Sequence, residues 1–324
     1  MFNQIKHLIQ FRKMADDGGE TIVREVIGYN KFRFENEEYV VIQNEKPKPD
    51  KENIPTRPSA VEGKTDFYLL AKKINDGTQR EFKISYKKPS FSFVENKVKK
   101  HRIPFIYGND WKKILQVQAE SIHDLFNSEC LVNFNKKTIK LGWRYEIEQL
   151  DAPGIGKRNL SVNITQNISP QVLWGSECAK GMKNAFVNGK IVNDSGIPNY
   201  ILIKDPSNIK TINDVFDDIQ EIQQYAKNHQ QMRASYIAQN NRWIQSTHRW
   251  KTEGKSRGFP VWINWDVKND FLRGRPIFNE PYEKNSGEII NTLQDCFKEL
   301  NIPYQDGLNF EMLKNKFSKD TVIC

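Results

Sequence analysis

The chain has 324 residues, with 49 Lys and Arg against 40 Asp and Glu, a formal charge of +9, and 38% hydrophobic residues that include 19 Phe, 11 Tyr and 7 Trp. So much ring surface excludes wholesale disorder, and a chain of this length predicts one large domain with an appendage, or two domains. Mean hydropathy is −0.70 and no apolar run approaches the ~18 residues that a bilayer span needs, which excludes a transmembrane helix. The positive balance predicts a polyanionic partner, nucleic acid first among them.

Residues 1–14 (MFNQIKHLIQFRKM) place Lys6, His7, Arg12 and Lys13 where a secretory signal needs an unbroken apolar stretch, so export is not expected. Residues 44–59 (NEKPKPDKENIPTRPS) are rich in Pro and charge and predict an exposed loop that closes off an N-terminal segment, residues 1–59. Residues 66–73 (DFYLLAKK) and 79–86 (QREFKISY) are strand-like runs. The Asn75-Asp76-Gly77 turn chemistry between them predicts a β-hairpin. After Pro89 the stretch SFSFVENKVKKHR has helical content, and residues 111–126 set Ile114, Leu115, Ala119, Ile122, Leu125 and Phe126 at helical spacing. Strands are predicted over residues 131–147, 160–164 and 199–203, the last stopped by Asp205-Pro206.

The longest helical candidate is residues 211–240, with a stripe of Ile212, Val215, Phe216, Ile219, Ile222 and Ala226 and acids Asp214, Asp217, Asp218 and Glu221 near its start. A basic stretch then interleaves Trp243 and Trp250 with Arg242, Arg249, Lys251, Lys255 and Arg257. A strand over 261–267 (VWINWDV) and an amphipathic helix over 286–300 follow. The class is α/β, a mixed α+β chain, with a core over residues 60–205 and a C-terminal helical and strand region over 206–324 that grips DNA or dimerises. Cys130, Cys178, Cys296 and Cys324 lie far apart without a CxxC pair and read as reduced thiols in a cytosol. The abundance of Asn, Lys and Ile suggests a bacterial or viral origin.

The hairpin is where chemistry concentrates. Asp66 opens its first strand and Glu81-Phe82-Lys83 lies in its second, where alternation puts Glu81 and Lys83 on one face and turns Phe82 into the core. An Asp heading one strand and a Glu-x-Lys on its neighbour can converge on one point. Two hard oxygen ligands for Mg²⁺ then stand beside an ammonium that orients water and stabilises developing negative charge, the parts needed to hydrolyse a phosphodiester. Glu62 is the nearest further acid for the metal, with Glu20 and Glu25 as helix-borne options. Two other acid-x-Lys triplets lack this context: Glu95-Asn96-Lys97 reads as a solvated helix, and Asp266-Val267-Lys268 is a rival whose upstream acid, Glu253, sits in a polar loop.

Lys64 and the run Lys83, Lys87, Lys88, Lys97, Lys99, Lys100 and Arg102, opposed only by Glu95, make the ground beside the hairpin positive and suited to a phosphate backbone. Gly154-Ile155-Gly156-Lys157-Arg158 lacks P-loop spacing, so no nucleotide cofactor is expected, and the 5 His show no metal-ligand spacing.

At these residues the chain resembles the PD-(D/E)xK nuclease superfamily, which includes most type II restriction endonucleases. The matching segment is GKTDFYLLAKKINDGTQREFKISYKK, residues 63–88, with Thr65 where the motif has its Pro. The resemblance implies a restriction-endonuclease-like central mixed β-sheet flanked by helices, with Asp66 as the motif's Asp, Glu81 as its second acid and Lys83 as its lysine. It implies a Mg²⁺-dependent endonuclease acting on double-stranded DNA, sequence-specific in the manner of restriction enzymes. A homodimer would let two sites cut two strands, and nothing in the sequence excludes a monomer. The alternatives are a structure-specific or repair nuclease of the same fold, and a non-catalytic basic nucleic-acid-binding or phage structural protein.

Overall fold

The computed structural model describes residues 18–50, 52, 63–244, 249–251, 257–302 and 310–324. They divide into two compact units, one comprising Met1–Val94, Gln149–Ile155 and Gln166–Gln231, the other Glu95–Glu148, Gly156–Thr165 and Met232–Cys324. The boundaries expected after residues 59 and 205 are not where the units part, because strands on both sides of each boundary share one sheet.

The first unit contains α1 (Gly18–Ile27), β1 (Lys31–Phe34), β2 (Glu37–Glu45), β3 (Phe67–Lys73) and β4 (Gln79–Lys87), then β5 (Tyr200–Ile203), α2 (Ile212–Phe216), β6 (Gln220–Glu221) and α3 (Ile222–Asn228). The strands lie in sequence order. The first four form an antiparallel meander, β5 runs parallel to β4, and β6 returns antiparallel. Antiparallel neighbours need only a tight turn, whereas the parallel β4–β5 pair needs a long crossover, here the chain from residue 88 to 199.

The hairpin β3–β4 forms as its sequence predicts. Gly77 takes φ +77° in the turn, and the Asp76 carboxylate accepts from the Thr78 amide at 2.8 Å and hydroxyl at 2.6 Å. Phe67, Leu69 and Ala71 of β3 and Phe82, Ile84 and Tyr86 of β4 enter one core with Val23 and Ile27 of α1 and Val215 and Phe216 of α2. The core therefore sits between one face of the sheet and two helices. Phe82 is fully buried at its centre, its ring 5.0 Å from that of Phe216.

Three local expectations are corrected. The long helix over 211–240 is α2, β6, α3 and then a strand, Met232–Ile244. Its start is as expected, a capping box of Thr211 and Asp214. However, Gln220 and Glu221 are taken by backbone pairing with Ile201 and Tyr200, and Met232, Ala234 and Tyr236 are buried with period two. After Pro89 the chain forms a short strand, Phe93–Glu95, in place of a helix. Lys97 has φ +54°, and the helix begins only at Ile103, with Pro104 in its first turn. In the loop over 44–59, Lys48–Pro49 pairs with the strand Ala185–Val187 and Asp50 is buried.

The second unit is a sheet whose main path runs Arg249–Trp250, Met232–Ile244, Thr138–Gln149, Val261–Lys268, Phe271–Ile277. The expected helices over 111–126 and 286–300 form as Trp111–Glu120 with His123–Asn127, and as Ser286–Glu299. Four reduced thiols are not found: Cys130 and Cys324 form a disulfide, because parallel pairing of Val132 with Ile323 lays residues 322–324 along residues 131–134. Cys178 and Cys296 take no part in a disulfide. Among the described residues no helix is long and apolar enough to cross a membrane.

Candidate functional site

Alternation along β4 sends Phe82, Ile84 and Tyr86 into the core and turns Glu81 and Lys83 to the opposite face, as expected. Register decides what each of them meets. Leu70 stands opposite Glu81 and Tyr68 opposite Lys83. The Tyr68 phenol donates to Glu81, and burial together with that carboxylate raises the Tyr68 pKa. Asn199 brackets the same stretch: its Oδ1 accepts from the Lys83 amide at 2.7 Å, its own amide donates to the Lys83 carbonyl at 2.8 Å, and its Nδ2 donates to the Glu81 carbonyl at 3.2 Å. Lys83 lines a cavity of about 480 Å³ with Lys183, Asp194, Asn199 and Glu221.

Asp66 belongs to a different place. It sits one residue before β3, its amide donating to the Ile84 carbonyl at 2.9 Å and its Oδ2 accepting from the Tyr86 amide at 2.7 Å. Burial raises its pKa, opposed chiefly by the Lys87 ammonium. Glu20 on α1 raises it further, while the Tyr86 amide and Lys46 lower it. Glu20 in turn is ion-paired with Lys46 at 3.0 Å. A side chain at Gly19 would stand 3.0 Å from Lys88 Cε and 3.3 Å from the Tyr86 ring, so a glycine is what lets the first turn of α1 close on this end of β4.

The expected meeting of the Asp66 and Glu81 carboxylates is therefore not formed. Glu81 is opposite Leu70, four positions past Asp66, and four strand residues span about 13 Å. Two carboxylates with side-chain reaches of a few ångströms cannot bind one ion across that gap. Sequence reasoning placed Lys87 on the DNA backbone and not beside Asp66, on whose carboxylate it is the chief cation acting. The signal was present, since counting outward from the turn's centre, between Asn75 and Asp76, puts Asp66 level with Ser85.

Among the described residues no group of three or more His, Cys, Asp or Glu is gathered as a metal site. Glu62 lies outside the described residues, and Glu25 is exposed. The rival triplets are otherwise occupied. Glu95 pairs with Arg102 at 2.8 Å, and Asp266 pairs with Arg273 at 2.8 Å and Arg275 at 2.9 Å, Arg273 chiefly holding its pKa down.

The basic residues separate by what they touch. In the first unit the Lys64 ammonium donates to the Val94 carbonyl at 3.1 Å, Lys87 is half-buried and Lys88 exposed. In the second, Lys97, Lys99, Lys100, Arg242, Lys251 and Arg257 are exposed. Arg102, expected on DNA, is instead buried against Glu95, its Nε and Nη2 donating to Oε1 at 2.9 and 2.8 Å. Lys255 and the Arg249 side chain lie outside the described residues.

The two basic stretches do meet. The Lys99 ammonium is depressed by burial and by Arg257, and Arg257 by burial and by Arg144. His101 is held down by burial, Lys99 and Arg102. Val98 donates its amide to the Tyr145 carbonyl at 2.9 Å, and Arg257 donates to Gln239 Oε1 at 2.7 Å. Arg144 was not singled out by the sequence because it lies outside both basic stretches, in a strand where Glu146 pairs with it at 2.7 Å.

Comparison with known proteins finds no matching family model, curated protein or solved structure.

Proposed function

We propose that the chain is a divalent-metal-dependent DNA endonuclease of the restriction-enzyme type. The observation that carries this reading is Asp66: a carboxylate at the head of a hairpin strand in a six-stranded mixed sheet, desolvated, with the charges of Lys87, Lys46 and a second acid, Glu20, acting on it. A structural aspartate on a strand is ordinarily solvated or ion-paired. Here burial raises its proton affinity although cations are near, which is the condition that a bound cation relieves. Mg²⁺ binds through one or two carboxylates, with waters and phosphate oxygens completing its shell, and a carboxylate of this kind fits that donor set. When bound, the ion supplies Lewis-acid stabilisation of the phosphate and a more acidic water.

The substrate is double-stranded DNA, for which the net charge of +9 and the Lys99, Arg144 and Arg257 cluster supply the attraction. A second reading, a non-catalytic nucleic-acid-binding protein, is favoured by one observation: that cluster is complete without the hairpin.

The experiment is cleavage of supercoiled plasmid by the full chain. Mg²⁺ is expected to give nicked and linear products, EDTA to stop the reaction, and Asp66→Asn to abolish it while DNA binding persists. Discrete bands from several plasmids identify sequence specificity, and preference for branched substrates identifies a structure-specific enzyme. No cleavage by the wild type with Mg²⁺ or Mn²⁺ overturns the nuclease reading in favour of the binding protein.

A further inference from the structure

We propose that Glu146 and Glu148, two carboxylates buried in the second unit, are positioning residues: on one face of the strand Thr138–Gln149 they hold the guanidiniums of Arg144 and Arg158 in place for the phosphodiester backbone of nucleic acid. This rests on the DNA-binding part of the proposed function and states what sets those cations in place.

Alternation divides that strand. Trp143, Tyr145 and Ile147 are fully buried on one face, with Trp143 against Phe126 at 4.8 Å between ring centroids and Tyr145 against Tyr236 at 5.3 Å. Arg144, Glu146 and Glu148 share the other face, where the two acids are 1% and 0% exposed. Glu146 Oε1 accepts from Arg144 Nε at 2.7 Å. That bond uses the inner nitrogen of the guanidinium, and the Nη1 and Nη2 fork of Arg144, a side chain 25% exposed, has no partner among the described residues. Glu148 repeats the plan with one more cation. Its Oε2 accepts from Arg233 Nε at 3.1 Å and Nη2 at 2.7 Å and from the Ser235 hydroxyl at 2.5 Å, while Arg158 Nε stands 3.5 Å from Oε1. Arg233 stays inside this network, its Nη2 donating also to the Gly156 carbonyl at 2.6 Å, whereas the Arg158 side chain is 36% exposed.

Stability does not account for these acids. Burying an ion pair costs desolvation, and apolar side chains of similar volume often serve a fold as well or better. Glu146 is also incompletely satisfied, since its Oε2 is buried without a hydrogen bond, an arrangement that costs free energy. What the carboxylate does accomplish is orientation. Held through Nε, the Arg144 guanidinium keeps its planar fork for two parallel bonds to phosphate oxygens and loses little freedom when it makes them. Charge agrees with position. The two acids meet three guanidiniums, those of Arg144, Arg158 and Arg233, so the face stays net positive. Burial and then Arg144 lower the pKa of Arg257 while Glu146 raises it, so the same acid tempers the repulsion between two neighbouring cations. Partly exposed arginines fixed on one strand face suit a repeating polyanion, in keeping with the net charge of +9.

The test measures binding of a labelled DNA duplex to the full chain by fluorescence anisotropy in EDTA, with thermal midpoint as a folding control. Glu146→Gln raises the net charge by one, and if the acid were a bystander the variant would bind more tightly with a steeper salt slope. Positioning predicts the opposite sign: affinity about fivefold weaker, a slope flatter by up to about 0.9 unit, and a midpoint unchanged or raised. Arg144→Ala and Arg158→Ala should each weaken binding about 10-fold. Arg144→Lys should recover little, because one ammonium cannot both hold Glu146 and fork a phosphate. In the Arg144→Ala background Glu146→Gln should cost no further affinity. Binding by Glu146→Gln as tight as the wild type's, or tighter, overturns the positioning role and leaves DNA binding standing. Should that variant lose its midpoint, Arg144→Lys decides, and affinity near the wild type's overturns the fork. Polyglutamate bound as tightly as the duplex, with the same loss in Glu146→Gln, overturns the nucleic-acid assignment in favour of an acidic protein chain. A wild type that binds no duplex overturns the DNA-binding reading and this proposal together.

Discussion

Removing two charges from the Lys99–Arg257 cluster tests the DNA-binding surface most directly. Each cation on a phosphate releases about 0.9 counterion, so log K falls by that amount per decade of salt for every contact. Lys99 and Arg257 are exposed and within electrostatic reach of each other, and Arg257 of Arg144, so one DNA backbone can meet both. Lys99→Ala with Arg257→Ala is therefore expected to flatten the salt slope by about 1.8 units. Between 50 and 200 mM KCl, a fourfold change, the wild type should lose about 12-fold more affinity than the double variant, because 4 raised to 1.8 is about 12. Fluorescence anisotropy of a labelled 20-bp duplex over that range gives both slopes, and the loss should be the same for unrelated sequences. Lys298→Ala, at an exposed lysine paired with Asp295, is the control. A slope unchanged in the double variant, with the control also unchanged, would refute the claim that this cluster meets phosphate.

The Asp66 carboxyl has a folded pKa above its ordinary 3.8 because burial dominates. The folded state therefore holds the proton longer than the unfolded one, and stability from this group is lost as pH rises from about 4 through the raised value. Asp66→Asn should be at least as stable as the wild type at pH 7 and show a flatter pH dependence of thermal midpoint; a less stable Asn variant at neutral pH contradicts the sign. Phe82→Ala removes a fully buried ring from the aromatic cluster and should cost about 3–5 kcal/mol. At about 2–4 °C per kcal/mol the midpoint falls by roughly 6–20 °C, read by calorimetry, and a fall under 3 °C would mean that Phe82 is not central. Thiol titration of the unreduced, denatured chain should detect Cys178 and Cys296 alone, and reduction should lower stability by about 2–5 kcal/mol; four titratable thiols would refute the Cys130–Cys324 pairing.

Local patterns carried much of the fold. The hairpin was legible because Asn75-Asp76-Gly77 is turn chemistry flanked by period-two runs, and Ser286–Glu299 because its apolar positions recur at helical spacing behind a capping Asn285. Residues 232–244 were missed for the converse reason. Only Met232, Ala234 and Tyr236 mark the alternation, and the polar residues around them suit a helix equally well until strand neighbours accept their backbone groups.

Composition and motif were enough to single out Asp66 and to set Glu81 and Lys83 together on one face, since alternation along a strand is a property of the chain itself. Which carboxylate and which ammonium stand beside Asp66 depends on cross-strand register and on the packing of α1, where a shift of a few residues moves a side chain by more than its own length. The same holds for Arg102 and Lys99: the two look alike in a basic run, and the surroundings alone commit one to Glu95 and leave the other beside Arg257. Electrostatic partnership is a distance in space, and residues remote in sequence acquire it only when the sheet that carries them has formed.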